Sequence, residues 1–308
     1  MCGIIGIVSE DTVNPTLFKR LLVGAMFRGV SATGIMFYSR TENKWVFGKE
    51  GINAIEFISR VDIEKLFGQH QPRIAVGHTR TPTSGDPANK ENNHPLLGEK
   101  YLLVHNGSVK GGNILEEEAE RKREEEFDKK YLERKTEIKT GIRGEKYLEE
   151  SEAYSPSIEE WYHGYTFLNG KAKKEDPRIK GYKYKGECDS EIILSYLEKL
   201  GLQKGLKKTN DFAGAALAFA KVMEEKVYLW RNDKPIEIAL REENGKKEIY
   251  FASTEAVIRG AITKVFWKMF MEKIELKWGH IDSLTLYGMF FNREGKIEIE
   301  EEKTKGEK

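Results

Sequence analysis

The sequence predicts an α+β fold in which mainly antiparallel sheets are stacked and helices lie on the outside. Two observations support this fold class: many short apolar runs have the length of strands, and few helical segments separate them. A chain of 308 residues can form one large domain or two small ones, with enough length for a substantial core.

The elements can be predicted in order along the chain. A first strand is predicted at residues 3–8, which read Gly-Ile-Ile-Gly-Ile-Val, and apolar residues at helical spacing from Leu17 to Met26 predict a helix that ends near Gly29. An amphipathic helix is predicted from Asp189. The remaining strands are predicted at residues 34–39, 44–49, 73–78 and 101–106 and at the runs "GAALAFAKV", "KVYLWRN", "PIEIALRE", "EIYFAS" and "SLTLYGMFF".

A long insertion, residues 114–186, separates the two halves of this pattern. Sixteen of the 20 residues at 116–135 are charged, and i,i+4 pairs such as Glu118 and Lys122 favour a partly helical segment that faces solvent. Two interpretations stay open: the insertion is a lid or docking surface for a partner, or it is a solvated decoration. The charged tail, residues 298–308, is expected to fray.

Composition excludes several classes of function. The 51 basic and 50 acidic residues leave a net charge of +1, which offers no electrostatic footprint for nucleic acid or an anionic membrane surface. No apolar run approaches the ~20 residues that cross a bilayer, and no signal-peptide pattern is present, so a cytoplasmic protein is predicted. The six histidines lack metal-ligand spacing, so neither a metal nor a cofactor is predicted.

Cys2 is one of only two cysteines, and it follows Met1 directly. One interpretation is a small apolar residue at the start of a buried strand. The other is that Met1 is removed, which leaves a thiol nucleophile beside its own α-amine base, as N-terminal nucleophile enzymes require. Position alone does not decide between them.

Polar clusters stand at the ends of predicted strands, where scaffolds usually present functional groups. Each has an ordinary explanation when taken alone: Arg80 is an ion-pair residue, Asn106-Gly107 a hairpin signal and Asp189 a helix N-cap. The clusters are "GHTRTPTSG" (77–85), "ENNHPL" (91–96) and "HNGS" (105–108).

Together with the N-terminal Cys-Gly-Ile-Ile-Gly, these clusters resemble the class II glutamine amidotransferases, whose glutaminase domains use an N-terminal cysteine nucleophile. The wording is most similar to the glutaminase domain of glucosamine-6-phosphate synthase, and the resemblance covers roughly residues 1–113 and 187–290. The blocks that carry it, in the family's order, are "FRGVSATGI", "GHTRTPTSGDPANKENNHPL", "VHNGS", "CDSEIIL" and "FASTEAV".

The resemblance implies an Ntn-hydrolase fold, a four-layer α-β-β-α sandwich of antiparallel sheets in one domain over residues 1–308. It implies that Cys2 attacks the side-chain amide of glutamine, while the Asn106 side chain and the Gly107 N–H form an oxyanion hole. No histidine base is then needed, because the α-amine of Cys2 can relay the proton.

The same resemblance implies a binding site for the α-amino acid part of the substrate. Arg80 would bind the α-carboxylate and Asp189 the α-ammonium, while Thr83 and Ser84 would line the pocket. We expect structural hydrogen bonding from four further polar residues and a buried filler role for the second cysteine, because "GECDS" lacks a nucleophile elbow. These residues are Arg28, His78, His94, His105 and Cys188.

Two departures from the family pattern bear on function. Thr81 stands where the aminosugar enzymes have a tryptophan that helps gate ammonia, and we expect no acceptor domain in addition to the predicted glutaminase segment. The resemblance therefore implies delivery of ammonia to a separate acceptor subunit; the oligomeric state stays open. Two other functions also stay open: a stand-alone amidase acting on another γ-glutamyl or small amide, and a catalytically silent glutamine-sensing protein.

Overall fold

The computed structural model describes residues 2–110, 177–265 and 276–304, with only the backbone described at 263–265. The charged helix predicted at 116–135 and most of the predicted insertion lie outside these residues, as do residues 305–308. The strands are β1 (Gly3–Ser9), β2 (Ala32–Ser39), β3 (Lys44–Glu50), β4 (Ile74–Arg80), β5 (Leu96–Leu97), β6 (Tyr101–Val109), β7 (Ala213–Lys221), β8 (Lys226–Arg231), β9 (Glu237–Glu243), β10 (Lys246–Ala252), β11 (Leu276–His280), β12 (Thr285–Phe291) and β13 (Ile297–Lys303). The helices are α1 (Pro15–Ala25), α2 (Ala54–Arg60), α3 (Ile63–His70), α4 (Ser190–Leu200), α5 (Leu202–Phe212) and α6 (Glu255–Val265).

These strands form two antiparallel sheets. Sheet 1 has seven strands in the order β11-β9-β10-β1-β4-β2-β3, and sheet 2 has six in the order β13-β12-β8-β7-β6-β5. The first strand of the chain lies inside sheet 1, between β10 and β4. Neighbours on both sides therefore fix the start of the chain in place.

The two sheets pack face to face, with helices on both outer surfaces. Because successive side chains of a strand point to opposite faces, Ile5 and Ile7 of β1 pack against α1 and α6, whereas Ile4 and Val8 face sheet 2. A third cluster joins the outer face of sheet 2 to α4 and α5. This α-β-β-α layering confirms the fold class predicted from the sequence. None of the helices in the described part of the chain has the length and apolar character needed to cross a membrane.

The fraying predicted for the tail is wrong for its first part, because that part is a strand. Residues Ile297–Lys303 form β13 and pair with β12 along its whole length, from Thr285 opposite Lys303 to Phe291 opposite Ile297. Ile297 is buried between the sheets, and Glu300 forms an ion pair with Lys226. Backbone pairing therefore orders a segment whose composition alone indicates a solvated end.

Glu10 follows β1 and joins the two sheets at the end of β1 opposite Cys2. Its carboxylate accepts hydrogen bonds from the backbone N–H groups of Ile297 (3.0 Å) and Lys247 (3.2 Å) and from Lys296 Nζ (3.1 Å). Its side chain is only 4% exposed. Burial opposes ionisation, but the donors of Ile297 and Lys296 outweigh it and hold the pKa of Glu10 below its ordinary value.

Replacing Glu10 with glutamine should lower the free energy of unfolding at pH 7 by about 1–3 kcal/mol, because charge-assisted hydrogen bonds are lost. A carboxylate with a lowered pKa stabilises the fold above the unfolded pKa, and this contribution disappears as the pH falls through the folded pKa. Urea unfolding of wild type and Glu10→Gln should therefore show a difference in the free energy of unfolding that shrinks below about pH 4. Glu294→Gln, an exposed change in the β12–β13 connection that Glu10 contacts, is the control; equal stability of Glu10→Gln and wild type at pH 7 would contradict the assignment.

Candidate active site

Cys2, Arg80 and Asn106 lie at one end of the space between the two sheets. On each strand, every second residue faces the space between the sheets. Cys2, Arg80 and Asn106 occupy such positions, so strand geometry alone directs their side chains there. The antiparallel pairing of Gly3 with Thr79 places Cys2 beside Arg80. The buried residues on the same faces of these strands are Ile4 on β1, Ile74 and Val76 on β4, and Leu102 and Val104 on β6.

The Cys2 side chain is held in a nearly closed environment. The residue is 8% exposed, and its Sγ donates to the backbone oxygen of Thr81 at 3.4 Å. Burial raises the pKa of the Cys2 thiol, although the Thr81 hydrogen bond and nearby Arg80 oppose this effect. The sulfur therefore needs a base to become a nucleophile near neutral pH.

Arg28 fixes the backbone on both sides of this thiol. Its Nε donates to the backbone oxygen of Cys2 at 2.8 Å, and its own backbone oxygen accepts from Thr81 Oγ1 at 3.0 Å. Ser31 N donates to the backbone oxygen of Arg80 at 2.9 Å. The "FRG" segment therefore holds the start of β1 against the end of β4, which agrees with the structural role expected for Arg28.

Arg80 is a buried cation whose hydrogen-bond acceptors in the described part of the chain are neutral. It is 2% exposed, and its guanidinium donates to Asn93 Oδ1 at 3.0 Å, to the backbone oxygen of Gly85 at 3.1 Å and to that of Ser84. Within the described part of the chain, all hydrogen-bond acceptors of Arg80 are amide or carbonyl oxygens. This arrangement leaves a buried positive charge that an anionic ligand group can neutralise.

Asp189 occupies the N-cap position of α4, but its side chain makes no capping hydrogen bond. The side chain instead accepts from Val109 N at its Oδ2 (2.8 Å), and its Oδ1 accepts from Ser190 Oγ (3.4 Å) and Cys188 Sγ (3.9 Å). Ser84 Oγ accepts from Asp189 N at 3.0 Å, so the loop that holds Arg80 is joined directly to Asp189. Thr83, predicted to line the same pocket, is exposed.

Asn106 is the last of six consecutive buried residues of β6, and Gly107, which follows it, is half-buried. Asn106 Nδ2 donates to Ser253 Oγ at 3.2 Å, and the same hydroxyl accepts from Ile4 N at 2.9 Å. Gly107 has a φ of +146°, and a Cβ there would lie 1.8 Å from the backbone oxygen of Gly214, so only glycine fits. Sequence reasoning missed Ser253: the "FASTEAV" block contained it, but no role was assigned to it.

Three buried histidines lie next to this site. The rings of His78 and His94 are 4.3 Å apart between centroids, and those of His94 and His105 are 6.5 Å apart. Burial lowers the pKa of His78 to about 3, and it also lowers the pKa values of His94 and His105. These rings are therefore neutral at neutral pH, and within the described residues none of them hydrogen-bonds to Cys2.

Cys188 differs from Cys2 in its surroundings. It is 5% exposed, and burial together with the adjacent Asp189 charge raises its pKa to about 11. A thiol in this state is a poor nucleophile, which agrees with its expected role as a buried filler.

The two cysteines should therefore differ in reactivity. In the native protein at pH 8, iodoacetamide should alkylate Cys2 slowly and leave Cys188 unmodified, because only the thiolate reacts. The rate at Cys2 should rise as the pH rises above the ordinary thiol range, since burial keeps the thiol protonated. Peptide mass spectrometry identifies the modified site, and alkylation in denaturant, where both should react alike, is the control. A Cys188 that reacts as fast as Cys2 in the native protein would contradict this account.

No profile of a known protein family matches the chain. Among curated proteins, it is similar to glutamine–fructose-6-phosphate aminotransferase of Campylobacter jejuni, with 23% identity over 294 residues that cover 93% of this chain and 37% of that protein. The enzyme of the same name from Brucella abortus is 36% identical over 116 residues, which cover 35% and 17%. Amidophosphoribosyltransferase of Pasteurella multocida is 31% identical over 119 residues, which cover 38% and 22%. The chain thus spans between 17% and 37% of the length of these relatives.

Solved structures show the same fold. A structure described as the allosteric regulatory enzyme of purine biosynthesis aligns with a TM-score of 0.58 at 13% identity, covering 99% of this chain and 49% of that one. Glutamine phosphoribosylpyrophosphate amidotransferase from B. subtilis aligns with a TM-score of 0.54 at 14% identity, with the same coverage of 99% and 49%. Together with the curated relatives, these structures confirm the resemblance on which the sequence analysis relied.

Proposed function

We propose that this chain, a domain of the class II glutamine amidotransferase type, hydrolyses the side-chain amide of glutamine through a thioester on Cys2 and delivers the ammonia to a separate acceptor subunit. The observation that carries the proposal is the placement of Cys2, Arg80, Asn106 and Asp189 near one end of the sheet interface, where hydrogen bonds to Thr81, Ser84 and Ser253 hold them. The names of the relatives, an aminotransferase and an amidophosphoribosyltransferase, support transfer of the amide nitrogen.

The first step needs a nucleophile and a base. After removal of Met1, the α-amine of Cys2, with a reference pKa of ~7.7–8.0, takes the thiol proton as Sγ attacks the carboxamide carbon. The proton passes to the departing nitrogen, which leaves as ammonia while the γ-glutamyl thioester forms on Cys2. Water then cleaves the thioester, which releases glutamate and restores the thiol.

Charge develops on the amide oxygen during both steps. Asn106 Nδ2 carries two hydrogens, and Ser253 Oγ engages one of them at 3.2 Å, so the other can donate to the oxyanion. The Gly107 N–H would supply the second donor. Donors that are already oriented in a site without water stabilise the transition state strongly.

The two ends of the amino acid would meet opposite charges. Arg80 would bind the α-carboxylate, Asp189 Oδ1 would accept from the α-ammonium, and Ser84 would hold these two residues together. This arrangement favours an amide that carries both groups over a simple amide. We expect the reaction to take place in the cytoplasm, where both cysteines, which are free in the structure, stay reduced.

The active protein should begin at Cys2, because only a free α-amine on that residue can serve as the base. Intact-mass measurement of active enzyme should show the loss of Met1, and Cys2→Ala should release no ammonia from glutamine. Cys188→Ala is the matched control and should retain activity. Full activity of a protein that keeps Met1 would exclude this mechanism.

Substitutions in the site should separate binding from chemistry. Asn106→Ala should lower kcat by ~10²–10³ with little change in KM, because its donor acts mainly in the transition state. Arg80→Ala should mainly raise KM for glutamine. Steady-state ammonia release measures both quantities, and an unchanged kcat in Asn106→Ala would remove this residue from the oxyanion hole.

Substrate comparison tests the function as a whole. Wild-type protein should prefer L-glutamine to other γ-glutamyl amides and to simple amides. A stand-alone amidase would accept these alternatives equally well, and a sensing protein would bind glutamine without releasing ammonia. Co-purification with a synthase that consumes the ammonia would identify the acceptor.

A further inference from the structure

Asn93 is a fully buried residue in contact with the Arg80 guanidinium. Its Oδ1 accepts from Arg80 Nη1 at 3.0 Å, and its Nδ2 donates to the backbone oxygen of Pro87 at 2.7 Å. Both polar atoms of the side chain are thus engaged, so the amide has one orientation. The Pro87 contact fixes this orientation independently of Arg80.

Lys49 fastens Asn93 to sheet 1. Its Nζ donates to the backbone oxygen of Asn93 at 2.9 Å, from a position on β3 opposite Gly34 of β2. A Cβ on Gly34 would lie 1.9 Å from the backbone oxygen of His94, so the chain at 93–94 rests directly on this pair of strands. The Lys49 ammonium therefore ties the loop that holds Arg80 to a rigid element.

The neutrality of Asn93 is as important as its position. A carboxylate here would neutralise Arg80, whereas an amide oxygen orients the guanidinium and leaves its positive charge available. The other acceptors of Arg80 in the described part of the chain are backbone oxygens, which are also neutral. Asn93 is thus the only side chain among these acceptors.

We propose that Asn93, held by Lys49, is a positioning residue that aims Arg80 at the α-carboxylate of the substrate. This inference rests on the proposed function, because it takes the substrate to be an amide of an α-amino acid. Asn93 would thereby set the preference for amides that carry a carboxylate without touching the reacting amide itself.

Two substrates distinguish a positioning role from a general structural one. The first is L-glutamine, and the second is 4-aminobutanamide, which is glutamine without its α-carboxylate. Asn93→Ala and Lys49→Met should raise KM for glutamine roughly 5- to 30-fold, which corresponds to one or two lost interactions, with kcat nearly unchanged. Activity on 4-aminobutanamide should stay at the wild-type level. Equal losses on both substrates would overturn the proposal.

Further variants test the two parts of the argument separately. Lys49→Arg keeps a cation and should restore KM, whereas Lys44→Met, on the same strand with a 60% exposed side chain, should have no effect. Asn93→Asp nearly preserves shape but supplies its own anion to Arg80, so it should raise KM for glutamine at least as much as Asn93→Ala. A wild-type KM in Asn93→Asp would show that only shape matters and would overturn the charge argument.

Calorimetry with the product L-glutamate separates this inference from the proposed function. If wild-type protein binds glutamate but releases no ammonia, the proposed function fails, and the positioning role is judged on binding alone. Asn93→Ala should then bind glutamate roughly 5- to 30-fold more weakly than wild type, and equal affinity would overturn the inference. A wild-type protein that neither binds glutamate nor hydrolyses glutamine would overturn both.

Discussion

The antiparallel pairing of β1 with β4 determines the geometry of the whole candidate site. It places the N-terminal thiol beside the end of β4, and because the pairing register sets which face each side chain occupies, Cys2 and Arg80 both face sheet 2. A shift of β1 by one residue would turn Cys2 toward the helices and bury Ile5 between the sheets, while Arg80 on β4 would keep its place. The apolar core on each face of β1 thus fixes the register of β1 against β4. This register in turn determines which side chains face the candidate site.

Hydrogen bonds between polar groups connect the two sheets at the candidate site, in addition to the apolar core. Sheet 1 provides Cys2 and Arg80, whereas sheet 2 provides Asn106, and the two are connected through Ser253, which bonds both Ile4 of β1 and Asn106 of β6. Such a bridge between two layers needs satisfied donors and acceptors, because an unpaired polar group there would be costly. The hydroxyl of Ser253 meets this requirement in a small volume.

The sequence is sufficient to predict the elements whose signal is local. The strands predicted at 34–39, 73–78 and 101–106 are confirmed as parts of β2, β4 and β6, because long apolar runs reflect burial on both faces. The short helices α2 and α3 were not predicted, since seven or eight residues contain too few turns for a clear period. The strand β13 was misjudged because its order comes from pairing with a distant strand, which composition does not reveal.

The site shows the same division. Its candidate residues are proposed from a family resemblance, but the contacts around them could not be predicted, because these contacts join positions far apart in the chain. Ser253 and Lys49 are examples: one is a serine after a strand and the other a lysine on an edge strand, and neither has a distinctive local signal. Only the folded arrangement gives them their partners.

The bridge through Ser253 also has a consequence for protein synthesis. Cys2 leaves the ribosome well before Ser253, which supports both the strand that follows Cys2 and Asn106. The nascent chain must therefore hold β1 without its β10 neighbour until residues 246–252 have been made. The candidate site is therefore assembled only after β10 and Ser253 have been made, and a translation product that stops before them carries the Cys2 thiol without these contacts.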